Sequence, residues 1–158
     1  MDDLRPSTIL LVEDSEEDRM LLRRAFRNAR IANPVVEVRD GEAAICYLSG
    51  QGVYADRTRC PMPFLVLLDL RMPRMSGFEV LEWIRGQPTL RELIVVVLSS
   101  SDDMRDVNKA HQLGATSYLV KPGNFDELVE MVKRVQGHWL LLGKTPAQPN
   151  STNGHIAA

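Results

Sequence analysis

The chain has 158 residues, of which 44% are hydrophobic and 25% are charged, and these are ordinary values for one globular domain with a substantial core. The net charge of −2 gives no electrostatic basis for direct binding to nucleic acid or to an anionic membrane surface. Cys46 and Cys60 lack C-x-x-C spacing, the chain opens with MDDLR rather than a signal peptide, and no apolar run is long enough to span a bilayer. We therefore expect a cytoplasmic protein with reduced thiols.

Five short apolar runs predict five β-strands. Most of them are rich in Val, Ile and Leu, as in strands that are covered on both faces. The runs are residues 8–12, 35–38, 64–68, 93–99 and 117–120. A segment of helical periodicity follows each run, so a β-α unit occurs five times. This order predicts an α/β fold with a parallel sheet and helices on both faces.

Polar residues and glycine mark the ends of the predicted helices. Ser15 is the candidate N-cap of the first helix. Ser76 and Glu79 have the spacing of a capping box at the start of the third helix. Gly114 is the expected stop signal of the fourth helix, because glycine adopts the left-handed conformation that ends many helices.

The predicted domain spans residues 7–142. It contains a loop at 49–63, which is unusually long for a compact domain and is therefore a candidate functional segment. A short helical extension is expected at 137–142. Residues 143–158 are polar and contain Pro and Gly, so we expect a disordered tail and no second domain.

Reactive polar residues stand at the ends of four predicted strands. Glu13 and Asp14 follow the first, Asp69 the third, Ser99 ends the fourth, and Lys121 follows the fifth. Parallel strands end at one edge of a sheet, so these groups can converge there. Carboxylates about 4 Å apart repel by roughly 1 to 4 kcal/mol per pair, which Mg²⁺ would relieve. One carboxylate can then attack phosphorus, while the lysine and hydroxyl stabilise the transferred oxygens.

Four motifs together carry a family resemblance: VEDS, LLDLRMPRMSG, VLSSSD and GATSYLVKP. With these motifs, residues 7–136 resemble the receiver domain of two-component response regulators. The resemblance implies a flavodoxin-like, doubly wound, five-stranded parallel sheet of order 2-1-3-4-5. It also implies a stand-alone signalling protein that accepts a phosphoryl group from a histidine kinase and catalyses only its own phosphorylation and dephosphorylation.

The resemblance assigns roles around the phosphoacceptor, which would be Asp69. Mg²⁺ would be held by Asp14, Asp69 and the backbone carbonyl of Arg71, with Glu13 acting through water. The family often has aspartate at the position of Glu13, so the longer side chain is expected to shift a coordinated water.

The same resemblance assigns the groups that respond to phosphorylation. Lys121 would pair with the phosphoryl group and Ser99 would hydrogen-bond to it. Tyr118 would be the aromatic switch, with a ring that turns inward when Asp69 is phosphorylated. Phosphorylation would thereby control protein–protein interaction.

Three further features make the resemblance more specific: the long loop, the apolar segment HWLLL at 138–142 and the lack of a following effector domain. With these features the chain resembles the single-domain regulators that accompany bacterial phytochrome kinases, which implies a role in light signalling. A regulator of a non-photosensory histidine kinase or of a phosphorelay is the alternative.

Three other classes fit the sequence less well. A phosphatase with an aspartyl-phosphate intermediate usually has a second acid two residues after the nucleophile, where this chain has Arg71. A flavodoxin-like cofactor binder needs a glycine-rich loop after the first strand, and the sequence has none there. A DNA-binding regulator would need a helix-turn-helix or a basic face, and neither is evident.

Two surfaces are predicted from position and apolar character. The kinase is expected to dock on the first helix and the loop after the fifth strand, at Asp18, Leu21 and Pro122. A homodimer is expected to form through the C-terminal residues Trp139, Leu140 and Leu142. Four apolar residues in a row surround a helix, so one core cannot bury them all, and we expect an exposed apolar patch.

Overall fold

The computed structural model describes residues 7–140, without the side chain of Leu140. It contains one five-stranded parallel sheet in the order β2-β1-β3-β4-β5. The strands are β1 (Ile9–Val12), β2 (Val35–Val38), β3 (Leu65–Leu68), β4 (Ile94–Ser99) and β5 (Ser117–Val120). The predicted flavodoxin-like fold is confirmed.

Five α-helices alternate with the strands. They are α1 (Glu16–Asn28), α2 (Gly41–Ser49), α3 (Gly77–Gly86), α4 (Met104–Gln112) and α5 (Phe125–Val135). Short 3-10 turns at Gly52–Tyr54 and Pro88–Leu90 and a π-helical turn at Gln136–Leu140 complete the described secondary structure. No helix among residues 7–140 has both the length and the apolar character needed to cross a membrane.

The sheet is covered on both faces, which explains its continuous apolar runs. All four residues of β1 and of β3 are buried. On one face, α1 and α5 cover the sheet, with Leu22, Phe26 and Val132 among the residues that they bury. On the other face, α2 and α3 bury Tyr47 and Leu81 against it. The helices thereby leave one edge of the sheet, at the carboxyl ends of its strands, for the site.

The predicted helix ends are present. Ser15 Oγ accepts a hydrogen bond from the backbone N–H of Asp18 at 3.1 Å. Ser76 Oγ accepts one from the N–H of Glu79 at 3.3 Å. Gly114 follows α4 with a φ of 102°, the left-handed conformation expected of a stop signal. These caps fix where α1 and α3 begin beside the site.

The loop at 49–63 is tied to α2 by hydrogen bonds. The guanidinium of Arg57 donates to the backbone oxygens of Tyr47, Leu48 and Cys60 at 2.8 to 3.1 Å. The hydroxyl of Tyr47 donates to the backbone oxygen of Pro61 at 2.7 Å. The loop therefore has a defined path over the end of α2.

The C-terminal segment differs from its predicted exposure. The π-helical turn continues α5, and Trp139, which is 8% exposed, packs into the core cluster beneath α1 and α5. The prediction that Trp139 forms an exposed dimer patch is therefore wrong, because the turn rotates the indole onto its own domain. The side chain of Leu140 and all of Leu142, the other two predicted dimer residues, lie outside the described residues.

Candidate functional site

The parallel sheet brings the predicted site residues to one edge. Glu13 follows β1, Asp69 follows β3 and Lys121 follows β5, while Ser99 is the last residue of β4. The ladder continues past the strand ends, because the N–H of Asp69 donates to Val12 O at 3.0 Å and that of Lys121 donates to Ser99 O at 2.7 Å. Backbone hydrogen bonds thus fix the positions from which the side chains of Asp69 and Lys121 extend.

Three carboxylates are crowded at this edge. Glu13, Asp14 and Asp69 each offer an oxygen, and these oxygens lie within 4.8 Å of one another. Glu13 is 2% exposed and Asp69 is 7% exposed, whereas Asp14 is exposed. Burial first, and the neighbouring charge of Glu13 second, raise the pKa of Asp69 to about 7, and the nearby Lys121 only partly opposes them. Burial likewise raises the pKa of Glu13.

This donor set suits a divalent cation. Carboxylate oxygens are the ligands that hard dications prefer, and a dication relieves the repulsion that raises the pKa of Asp69. Arg71, whose backbone carbonyl was the further predicted ligand, lies two residues after Asp69, and its N–H is hydrogen-bonded to the Asp69 carboxylate. The residues present therefore fit a divalent metal.

Lys121 is held by two carboxylates other than Asp69. Its Nζ donates to Glu13 Oε1 at 2.8 Å and to Asp18 Oδ2 at 2.9 Å. The distance from Nζ to Asp69 Oδ1 is 3.7 Å, an ion pair without a hydrogen bond. Burial lowers the pKa of Lys121, but the hydrogen bonds to Glu13 and Asp18 outweigh burial and raise the pKa above its ordinary value. The ammonium group is therefore charged beside the acids.

Ser99 opens a hydrogen-bonded loop between β4 and α4. Its Oγ is buried and accepts a bond from the N–H of Ser101 at 3.1 Å. The hydroxyl of Ser101 donates to Asp106 Oδ2 at 2.7 Å, and the same oxygen accepts from the guanidinium of Arg71. The loop thus joins Arg71, two residues after Asp69, to the first turn of α4.

The ring of Tyr118 already points inward. Tyr118 is 8% exposed and packs with Leu70, Phe78 and Val97, and its hydroxyl donates to the backbone oxygen of Ser101 at 2.7 Å. The structure shows one position of the ring, so the switch of Tyr118 on phosphorylation stays a prediction.

The sequence matches the response regulator receiver domain family over residues 9–133. The chain belongs to this family. Receiver domains act in two-component signalling, bind a divalent metal and have a histidine kinase as partner. The fold, the acidic cluster and the ordered motifs of this receiver agree with that membership.

Two curated relatives cover nearly the whole receiver. Response regulator Rcp1 of Synechocystis sp. is 38% identical over 142 residues, which are 90% of this chain and 95% of the relative. The probable methanogenesis regulatory protein FilR2 of Methanothrix harundinacea is also 38% identical, over 141 residues that are 89% of this chain and 88% of that protein. Both relatives are regulators by name, and the name of FilR2 connects that protein with methanogenesis.

Solved structures of single receivers are similar to this one. The Mn²⁺-bound form of Rcp1 gives a TM-score of 0.78 at 38% identity, covering 90% of this chain and 100% of that chain. The phosphorylated cyanobacterial phytochrome response regulator RcpA gives a TM-score of 0.79 at 38% identity, covering 85% of this chain and 94% of that chain.

Gly77 is a residue of the receiver site that sequence reasoning missed. A Cβ at this position would lie 2.2 Å from the backbone oxygen of Asp69 and 2.8 Å from the Cα of Leu70. Only glycine lets the first turn of α3 approach the backbone of Asp69 and Leu70 so closely. Its place after Ser76, at the end of the motif that contains Asp69, was the available signal.

Three predicted kinase-docking residues lie together in the receiver. Asp18, Leu21 and Pro122 line one cavity beside Lys121, at the junction of α1 with the loop after β5. Asp18 also has a partner within the chain, because it accepts the hydrogen bond from Lys121. This bond was not predicted from the sequence, because Asp18 lies on a helix and not at a strand end.

Proposed function

We propose that this receiver accepts a phosphoryl group from a sensor histidine kinase onto Asp69. The position of Asp69 carries the proposal: it directly follows the central strand β3, it is 7% exposed, and Lys121 Nζ lies 3.7 Å from its Oδ1. A carboxylate in this position is shielded from most of the solvent and has a fixed cation beside it. Such a setting favours attack on phosphorus over simple solvation.

The transfer is a displacement at phosphorus. A carboxylate oxygen of Asp69 attacks the phosphorus of a phosphohistidine, the P–N bond breaks, and its electron pair leaves with the imidazole. Lys121 supplies positive charge for the transferred oxygens. The Ser99 hydroxyl, whose oxygen accepts a bond from Ser101, keeps its own proton available for them.

We assign the divalent site to Mg²⁺. Asp14, Asp69 and the backbone carbonyl of Arg71 would hold it directly, with Glu13 acting through water. Mg²⁺ would supply positive charge that offsets the carboxylates and the transferred phosphoryl oxygens. The Mn²⁺ in the Rcp1 structure supports a site of this kind, because Mn²⁺ and Mg²⁺ share a preference for oxygen ligands.

The cognate kinase is, in this proposal, a phytochrome-type photoreceptor. RcpA is a phytochrome response regulator by its description, and a receiver described as acting in red light signalling of R. palustris is 36% identical with a TM-score of 0.81. The match to each covers 85% of this chain. The likeness of the whole receiver, rather than of the motifs alone, supports the assignment.

A non-photosensory histidine kinase or a phosphorelay is the second candidate. The observation in its favour is the identity of 38% to FilR2, whose name connects it with methanogenesis and not with light. Both candidates use the same site chemistry. They differ in the kinase that docks and in the signal that it senses.

We place kinase docking on the cavity lined by Leu21, Pro122 and Asp18, next to Lys121. Lys121, which adjoins this cavity, lies 3.7 Å from Asp69, so a kinase bound here would be beside the phosphoacceptor. Leu21→Arg would slow transfer from the kinase and leave phosphorylation by small donors unchanged.

The partner kinase uses ATP, which is in the cytoplasm, so we place the protein there as well.

The output would be a change in protein–protein contact and not the turnover of another substrate. The added phosphoryl group, with up to about two negative charges, would draw Ser99 and Lys121 toward Asp69 and shift the Ser101 loop. We retain residues 7–142 as the functional unit. A homodimer through Leu140 and Leu142 remains part of the proposal, without Trp139.

Phosphotransfer profiling tests this proposal. Purified phytochrome kinases and non-photosensory kinases, each labelled on histidine, would be incubated with the receiver for short times in Mg²⁺. Rapid transfer from a phytochrome kinase to wild type, and none to Asp69→Asn, is expected. Rapid transfer from non-photosensory kinases only, with none from phytochrome kinases, would favour the second candidate. Labelling of Asp69→Asn would contradict the assignment of Asp69 as the phosphoacceptor.

A further inference from the structure

The ammonium group of Lys121 is shared between the site and helix α1. Its Nζ lies 2.9 Å from Asp18 Oδ2 and 2.8 Å from Glu13 Oε1, but 3.7 Å from the nearer oxygen of Asp69. Both hydrogen bonds of the lysine therefore go to acids that do not receive the phosphoryl group. The lysine is close to Asp69 without being bonded to it.

Asp18 is held in position by the start of its helix. The N-cap Ser15 binds the backbone N–H of Asp18, so the first turn of α1 has a fixed geometry. Leu22, one turn later, packs in the core with α5. The Asp18 side chain is 40% exposed and the Lys121 side chain is 16% exposed, so the carboxylate approaches the lysine from the solvent side of the site.

We propose that Asp18 is a positioning residue that competes with the phosphoacceptor for Lys121. This inference rests on the proposed function, in which Lys121 pairs with the phosphoryl group on Asp69. For that pairing the ammonium group must move toward Asp69, and the bond to Asp18 resists the movement. Asp18 therefore slows phosphorylation and favours the unphosphorylated receiver.

The proposal differs from a docking role for the same residue. A docking residue affects transfer only when the kinase is present. A residue that competes for Lys121 affects phosphorylation by any donor, because the competition takes place inside the receiver. Small phosphodonors make no use of a docking surface, so they separate the two roles.

The test uses initial rates of phosphorylation by phosphoramidate in Mg²⁺, followed by intact mass. Asp18→Asn removes the charge that attracts Lys121, and the rate should rise about two- to fivefold, the range expected of a partly exposed ion pair. Glu17→Gln is the matched control, because Glu17 is exposed on the same turn of α1 and the substitution also removes one negative charge. Its rate should remain that of wild type. Asp18→Glu keeps the carboxylate and should return most of the wild-type rate.

Each result has a defined meaning. Equal rates for Asp18→Asn and Glu17→Gln, or a rise that Asp18→Glu fails to reverse, would overturn the competition. Slower transfer from a kinase with an unchanged phosphoramidate rate would overturn it in favour of docking. Failure of wild type to gain a phosphoryl group, or labelling of Asp69→Asn, would instead contradict the proposed function itself.

Discussion

At the scale of single residues, the acidic edge of the sheet depends on how three negative charges are balanced. Glu13 accepts from Lys121 through Oε1 and from the N–H of Ser15 through Oε2, so its longer side chain is tied at both oxygens. Asp69 has no such hydrogen bond from Lys121, and its pKa is raised to about 7. Without a metal, the charge on Asp69 therefore opposes folding.

The stability of the metal-free receiver should fall as the pH rises from about 4 to about 7. The pKa of Asp69 is about 7 in the folded chain against 3.8 ordinarily, so the folded state binds more protons in this window and loses stability as they leave. Asp69→Asn should show a shallower decline and gain on the order of 2 kcal/mol at pH 7. Urea unfolding in chelator at several pH values measures this.

The exposed Asp102 provides a control for the change of charge, as Asp102→Asn. It should follow the wild-type dependence on pH. Equal slopes for wild type and Asp69→Asn would show that burial of Asp69 has no net cost. Saturating Mg²⁺ should remove most of the difference, since the cation offsets the same charge.

At the scale of elements, the start of α3 approaches the backbone just after β3, at Asp69 and Leu70, more closely than a side chain at Gly77 would allow. The N–H of Gly77 donates to Leu70 O at 2.9 Å, and Ser76 caps the helix just before it. The start of α3 thereby supports the turn that carries the carbonyl of Arg71. Helix and site are coupled through backbone contact at one glycine.

Gly77→Ala should destabilise the receiver and weaken the metal site. The new Cβ would meet the Asp69 oxygen at 2.2 Å, so the backbone must shift, and we expect a loss of about 2 kcal/mol or more with weaker Mg²⁺ binding. Gly86→Ala, at the other end of α3, meets nothing within 4 Å and should be neutral or slightly stabilising. Urea unfolding and calorimetric Mg²⁺ titration test both. Equal behaviour of the two variants would contradict the close approach.

Arg85 joins α3 to the segment before β4 and to the connection between α4 and β5. Its guanidinium donates to the backbone oxygens of Gly114, Arg91 and Leu93 at 2.8 to 3.0 Å. Arg85→Ala would leave these carbonyls without their donor and should cost about 2 kcal/mol of stability. Arg91→Ala, at an exposed position, should cost much less. Similar losses for the two variants in urea unfolding would count against this role.

At the scale of the whole molecule, the C-terminal turn is part of the core. Trp139 packs with residues of α1, α5 and the sheet, and this contact closes one face of the domain. A dimer through the C-terminal region would therefore have to form without the buried indole. The indole is needed by the monomer whether or not the protein associates.

Trp139→Ala should destabilise the folded chain by about 3 to 5 kcal/mol, the range for loss of a large buried aromatic side chain. His138→Ala is the neighbouring control, because His138 is exposed, and its effect should be small. Urea unfolding measures the stability of both variants.

Light scattering of wild type and of Leu142→Glu tests the dimer separately. A wild type that is monomeric at micromolar concentrations would rule the dimer out.

Much of this architecture could be predicted from local pattern. Apolar runs and polar caps are local signals, so β2 and β5 have the predicted bounds and Ser15 caps α1 as expected. Parallel topology then brought Asp69 and Lys121 to one edge. The bond from Lys121 to Asp18 could not be predicted, because it depends on how α1 packs across the sheet. The burial of Trp139 was missed because an apolar run does not tell which of its members meets the core.

Intact-mass measurement after treatment with a small phosphodonor tests the central claim most directly. With Mg²⁺, wild type should gain the mass of one phosphoryl group, and peptide mapping should locate it on Asp69. Asp69→Asn should gain none, and a chelator should stop the reaction in wild type because the acidic cluster would then repel the donor. A stoichiometric phosphoryl group on Asp69→Asn, or on wild type in chelator, would contradict the account.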